Sequence, residues 1–178
     1  MKIIKTKFDG LKIVQGIRFI DNRGYFREIY KKNFFKNSNM VFWCMSKSKK
    51  NVVRGMHLQT SNSQEKFITV VKGKILDVVV DLRYKSKTFG KSFQIKLSEK
   101  NCKSIFIPSG FAHGFCALEK ENIIFYGNSN YRSKKSETSI LWNDKDLNIK
   151  WPKKKFVLSK KDGSSIPLNI FIKRKIKL

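Results

Sequence analysis

The chain has two histidines, His57 and His113, and the first stands among residues that could put an imidazole to work. Arg54-Gly55-Met56-His57-Leu58-Gln59 alternates polar with apolar side chains, and Lys66 follows at the head of an apolar run. An imidazole titrates near pH ~6.5 unaided, so His57 is the natural general base. A lysine nearby would bring fixed positive charge, and the guanidinium of Arg54 matches a pair of anionic oxygens. In an extended strand Arg54, Met56 and Leu58 share one face while Gly55, His57 and Gln59 share the other. The competing reading of His57 is a buried ring that only satisfies a core hydrogen bond, and the default reading of a lysine in so basic a chain is a solvated one.

Such residues need a frame. Segments 67–71 and 75–82 are rich in Val, Ile and Phe, and the Lys72-Gly73-Lys74 break between them reads as a hairpin turn, with Gly73 free to take positive φ. Residues 11–20 read as an early strand leading into a turn at Asp21-Asn22-Arg23-Gly24, after which 25–30 is extended and 31–39 is a short helix or loop. An apolar run over 40–45 follows. Strands are expected over 92–97, 104–108, 115–118 and 123–126, the last pairing back beyond a turn at 119–122. Past Trp151-Pro152 the chain is basic and irregular, and 166–178 is either a short helix or an extended tail. Many short strands and few helical periodicities argue for an all-β antiparallel sandwich or barrel. The 178 residues fit one domain, 1–178, with no internal repeat and no linker.

A formal charge of +26 would suit nucleic acid, an anionic membrane surface or an anionic small substrate. The lysines, however, are scattered through every segment, as in a compositional bias toward Lys, Asn and Ile. A nucleic-acid-binding β-barrel stands as the alternative from another class. It would show exposed aromatics on one basic face and an affinity that collapses with salt. Lysines at 2, 5, 7 and 12 interrupt the opening stretch, so a signal peptide is not expected, and no run approaches the ~20 apolar residues of a membrane span. Cys44, Cys102 and Cys116 are odd in number and lack CxxC spacing, which points to a reducing, cytoplasmic setting rather than a disulfide framework or a zinc site.

His57-x-Gln59, Lys66 and Gly73, followed by Pro108-Ser-Gly110-Phe-Ala-His113, resemble the two-part pattern of the cupins, small β-barrels of jelly-roll type. A metal-binding cupin has a second His and a Glu where this chain has Gln59 and Lys66. An open metal site needs about three protein ligands, so no metal is expected. The phrases DNRGYFRE (21–28), SKSKKNVVRGMHLQ (46–59), VVVDLR (78–83), IPSGFAHGF (107–115), SETSILWND (136–144) and WPKKKFVLSKKD (151–162) resemble, in order, the dTDP-4-dehydrorhamnose 3,5-epimerases. The resemblance covers roughly residues 2–168. It implies a cupin-type antiparallel β-barrel with short peripheral helices, no cofactor, and a substrate that is a nucleoside-diphosphate 4-keto-6-deoxyhexose.

The implied reaction removes a hydrogen next to a ketone and returns one to the opposite face. That requires a base, stabilisation of the enolate oxygen and an acid. The resemblance assigns His57 as base, Asp162 as the carboxylate that orients it, Tyr126 as acid, and Lys66 and His113 to the sugar; read without it, Asp162 is an exposed loop carboxylate, Tyr126 a core tyrosine with a satisfied hydroxyl, and His113 equally a structural turn residue. Arg23 and Arg54 become the diphosphate clamp, and Glu28, Glu137 and Lys161 further contacts. It implies a homodimer whose N-terminal arm brings Arg23 and Glu28 to the neighbouring pocket. The departures fall at the nucleotide. Phe42-Trp43-Cys44 replaces a Gln-x-Asn, and Arg132 aligns with the tyrosine that stacks on thymine, with Tyr131 one step before it. A relative inverting a single carbon fits the same residues.

Overall fold

The structure, a computed structural model, describes residues 1–152 and 155–176. Two antiparallel sheets pack face to face in a jelly roll, with two short helices outside them. The first sheet runs β1 (Lys2–Lys5), β2 (Lys12–Gln15), β10 (Lys103–Ile107), β7 (Lys66–Lys72), β12 (Glu121–Asn128), β5 (Phe42–Lys49). The second runs β13 (Glu137–Ser139), β6 (Val53–Gln59), β11 (Phe111–Ala117), β8 (Lys74–Asp81), β9 (Ser92–Ser98). A separate ribbon pairs β3 (Arg18–Asp21) with β4 (Gly24–Arg27) around the expected turn at Asn22-Arg23.

Alternation along the strands creates three apolar layers. Between the sheets lie Ile68, Val70, Ile75, Val79, Leu97, Ile105, Phe115 and Ile124. Outside the second sheet, Met56, Leu58, Val78 and Val80 are covered by Leu147, Leu168 and Phe171 of the C-terminal segment. Outside the first sheet, Phe67 and Phe106 are covered by Phe35, from the 3-10 turn Lys32–Phe35, and by Tyr30. The run over 75–82 is nearly continuous in apolar residues because β8 is covered on both faces.

Two expected connections and one expected strand differ in the structure. Lys72-Gly73-Lys74 is not a hairpin, because β7 pairs with β10 and β12 whereas β8 pairs with β11 and β9. The chain crosses from one sheet to the other there. Gly73 takes φ +82° where an added Cβ would lie 2.3 Å from the Glu121 carbonyl oxygen, so this corner demands glycine. Residues 123–126 likewise do not pair back across the 119–122 turn: β12 joins β5 and β7, while β11 lies in the other sheet. The early strand over 11–20 is two strands, β2 in the first sheet and β3 in the ribbon. Of the 166–178 stretch, Leu168–Lys173 forms helix α2, and 177–178 lie outside the described residues.

Candidate active site

A pocket opens between the sheets. Its walls come from inward-facing residues of β5 and β12 on one side, β6 and β11 on the other, with Lys66 of β7, Arg132 and Glu137 beside them. On β6 the inward residues include His57 and Gln59, as the alternation requires. Arg54 does not follow it. His113 pairs with His57 but Phe115 pairs with Arg54, so β6 spends one more residue than β11 over that interval. The bulge turns Arg54 from the Met56 and Leu58 face to the pocket. Gly55 takes φ +137°, and a Cβ there would lie 2.5 Å from Gly114 Cα, so the bulge closes only on glycine.

His57 Nε2 lies 2.6 Å from Asp162 Oδ1. A carboxylate only accepts, so in the neutral ring Nε2 carries the proton and Nδ1 the free lone pair. Asp162 arrives on the one-turn helix α1 (Lys160–Gly163), where the Ser159 hydroxyl donates to Asp162 Oδ2 at 2.9 Å and accepts from the Asp162 backbone N–H at 3.1 Å. Burial works against the charge, but the hydrogen bonds from His57 and Ser159 hold the Asp162 carboxyl below the usual carboxylate range. The segment before α1 is pinned at the start of β6 by a bridge between Val52 and Val157 and by the Val53 N–H, which donates to the Val157 carbonyl at 3.0 Å.

Tyr126 faces the pocket from the opposite sheet, its hydroxyl 2.7 Å from Ser46 Oγ. Burial pushes its phenol well above the ordinary tyrosine range. Lys66 shares the inward face of β7 with Ile68 and Val70. Desolvation pushes its ammonium down to about 8, partly offset by the negative charge of Glu137. His113 is buried, with Nε2 2.8 Å from Asp77 Oδ2, and it also lines the pocket. Arg54 donates through Nε to Ser48 Oγ at 3.1 Å and through a terminal nitrogen to the Lys47 carbonyl. Glu137 Oε2 accepts from both Arg132 and Lys161, each at 2.8 Å, and these cations hold its carboxyl low against the effect of burial.

His57, Tyr126, Lys66, Arg54, His113, Arg132 and Glu137 therefore come together at one pocket, with Asp162 behind His57 and Lys161 behind Glu137. Tyr131 is 71% exposed, its ring 6.0 Å from that of the pocket residue Phe42. Arg23 and Glu28 do not reach this pocket. Arg23 is held by Asp21 on the ribbon and Glu28 by Lys31. Sequence reasoning missed Asp77, Ser46 and Asn128. Asp77 had a signal, a carboxylate inside the apolar run 75–82; a lone serine or asparagine in a strand carries none. Among the described residues no three His, Cys, Asp or Glu side chains gather in a metal-holding group, and no helix is long and apolar enough to cross a membrane.

The family model described as dTDP-4-dehydrorhamnose 3,5-epimerase matches residues 5–169. The enzyme of that name from Shigella flexneri is 40% identical over 168 residues, spanning 91% of this chain and 93% of its own. Among solved structures, the dTDP-6-deoxy-D-glucose-3,5-epimerase of Legionella pneumophila, in complex with dTDP-4-keto-L-rhamnose, superposes with a TM-score of 0.94 at 35% identity, covering 99% of this chain and 97% of that one. The dTDP-4-dehydrorhamnose 3,5-epimerase of Bacillus anthracis, with TDP and pyrophosphate bound, gives a TM-score of 0.89 at 38% identity, covering 94% and 99%.

Proposed function

The chain belongs to the dTDP-4-dehydrorhamnose 3,5-epimerase family, and from that premise we propose that it inverts the carbons flanking the ketone of a dTDP-linked 4-keto-6-deoxyhexose, in deoxysugar biosynthesis. The observation that carries this reading is that the base and acid candidates stand on opposite walls of one pocket, His57 from the second sheet and Tyr126 from the first. A sugar ring held between the sheets would offer one face to each.

His57 Nδ1 takes the proton next to the ketone, and the electrons of the broken C–H bond move onto the ketone oxygen. Asp162 favours the imidazolium that results, as a carboxylate behind a histidine does elsewhere. Lys66 supplies positive charge to the enolate oxygen, with His113 beside it. Tyr126 then delivers its proton to the opposite face of the carbon. The phenolate and imidazolium return to their starting forms through solvent, so no proton is gained or lost overall. Arg54 and Arg132 offer guanidinium groups at the pocket for the diphosphate and nucleotide, and Phe42 with Tyr131 offers aromatic surface for a base. Arg23 and Glu28, which do not line their own pocket, serve the pocket of a second copy in a homodimer. Three cysteines without a disulfide support a reducing, cytoplasmic setting.

The test is incubation in deuterated water with dTDP- and GDP-linked 4-keto-6-deoxyglucose, the exchanged hydrogens being located by NMR. Deuterium is expected at the carbons flanking the ketone of the dTDP sugar, and His57→Ala is expected to lose at least the ~100-fold that a general base contributes. Absence of exchange with either nucleotide, or full exchange in His57→Ala, overturns the reading.

A further inference from the structure

Tyr126 is not alone on its wall. Along β5 the side chains of Phe42, Cys44 and Ser46 line the pocket, while Trp43 packs outside against Phe125. Cys44 lies directly across from Tyr126 and Ser46 across from Ile124, so the serine and the tyrosine are diagonal neighbours on one face. Their hydroxyls meet at 2.7 Å, and among the described residues neither has another side-chain hydrogen-bond partner. Strand pairing does not depend on this bond, because β5 and β12 are in register along their whole length, from Glu121 opposite Lys49 to Asn128 opposite Phe42.

A phenol has one proton. Directed at Ser46, it would not be available to the pocket; directed at the pocket, it leaves the phenol oxygen as acceptor for the serine hydroxyl. On the reading given above, we infer that Ser46 is the positioning residue of the acid half-reaction: its hydroxyl donates to Tyr126, aims the phenol proton at the sugar and steadies the phenolate that remains. In that step the Tyr126 O–H bond breaks, a C–H bond forms at the enolate carbon from the enolate's electron pair, and the charge passes to the phenol oxygen. Burial makes that charge costly, and the influences opposing it are the Ser46 hydrogen bond and the positive charge of Arg54. Arg54 acts from a distance, since its hydrogen bonds go to Ser48 and Lys47.

The experiment compares deuterium incorporation with inversion in the same NMR sample for the full chain and its variants, using dTDP-4-keto-6-deoxyglucose. In Ser46→Ala the base and Lys66 remain, so exchange into recovered substrate should persist while inversion slows by roughly 10- to 100-fold, the range of a hydrogen bond to a charged group. The ratio of exchange to inversion rises and KM stays within about two-fold, as for an interaction strengthened only in the transition state. Ser46→Thr keeps the hydroxyl and should stay close to wild type, whereas Ser46→Val, whose side chain is isosteric with threonine, should behave like Ser46→Ala; this pair decides the matter even where the alanine variant folds poorly. In a Tyr126→Phe background, Ser46→Ala should add nothing. An unchanged ratio in Ser46→Ala, equal loss of exchange and inversion, valine matching threonine, or additive effects with Tyr126→Phe would each overturn the assignment. Exchange by the wild-type chain is measured first, so failure of the epimerase reading itself is seen separately.

Discussion

Lys66 illustrates how position changes what a common residue can do. On the surface of so basic a chain a lysine is charged at any working pH; between the sheets, desolvation lowers its ammonium from 10.5 to about 8. If the enolate oxygen is held by that charge, kcat/KM should fall as pH rises through about 8, because the free enzyme then loses the proton. Substrate phosphates and the enolate favour the ammonium, so the corresponding limb of kcat lies higher. Lys66→Arg, which keeps its charge beyond pH ~12, should move the kcat/KM limb upward even where its absolute rate is lower. A profile from pH 6 to 10 for both proteins checks this, and an unmoved limb removes Lys66 from that role. Unfolding through this group does not account for the fall. Its folded pKa lies below its unfolded value, so from about 8 to 10.5 its contribution to stability rises with pH.

At the scale of elements, the bulge in β6 decides what the pocket contains. Without the extra residue at 55–56, Arg54 would stay with Met56 and Leu58 against the outer apolar layer, and the pocket would lose a cation. Gly55→Ala places a Cβ against the Gly114 backbone at a φ reserved for glycine. A loss of about 2 to 4 kcal/mol in stability is expected from the combined strain and overpacking. The surviving fold should bind substrate more weakly while still exchanging deuterium, because His57 lies beyond the bulge. Denaturant unfolding and KM measured together test it; wild-type values of both would show that the strand tolerates a side chain there. The one-turn helix α1 plays a similar part, since it is too short to be stable alone and depends on the Ser159 cap and the Val52 to Val157 bridge to hold Asp162 at His57.

For the molecule as a whole, the β3–β4 ribbon is the part that its own core does not explain. Phe19, Ile20 and Phe26 are 57%, 72% and 65% exposed on it, and Arg23 sits at its tip. An apolar ribbon carrying a proposed phosphate ligand fits the homodimer in which each copy completes the other's pocket. Arg23→Ala and His57→Ala are each expected to be nearly inactive. Mixed, unfolded and refolded together in equal amounts, they should regain about a quarter of wild-type activity, because half the dimers are mixed and each of those has one intact site. No recovery would mean that Arg23 serves its own chain or no site at all.

The periodicity and residue types determined that the fold is all-β, where most of its strands run, and that His57 and Gln59 share a face, because a strand's alternation is local and survives in any tertiary setting; the short edge strands β1 and β13 carried no such signal, and the 11–20 run divides into β2 and β3. The ordered phrases from Asp21 to Asp162 identified the family and so joined residues far apart in the chain, which no local rule could do. Which strands pair was decided by tertiary structure. Gly73 has the freedom of a hairpin glycine, yet β7 and β8 separate there because each buries both faces, and two packed sheets satisfy that demand where one hairpin would not. The face of Arg54 turned on a bulge that appears only when β6 meets β11. Ser46 and Asp77 became site residues through partners on neighbouring strands, Tyr126 and His113, brought to hydrogen-bonding distance by a register that the linear sequence does not contain.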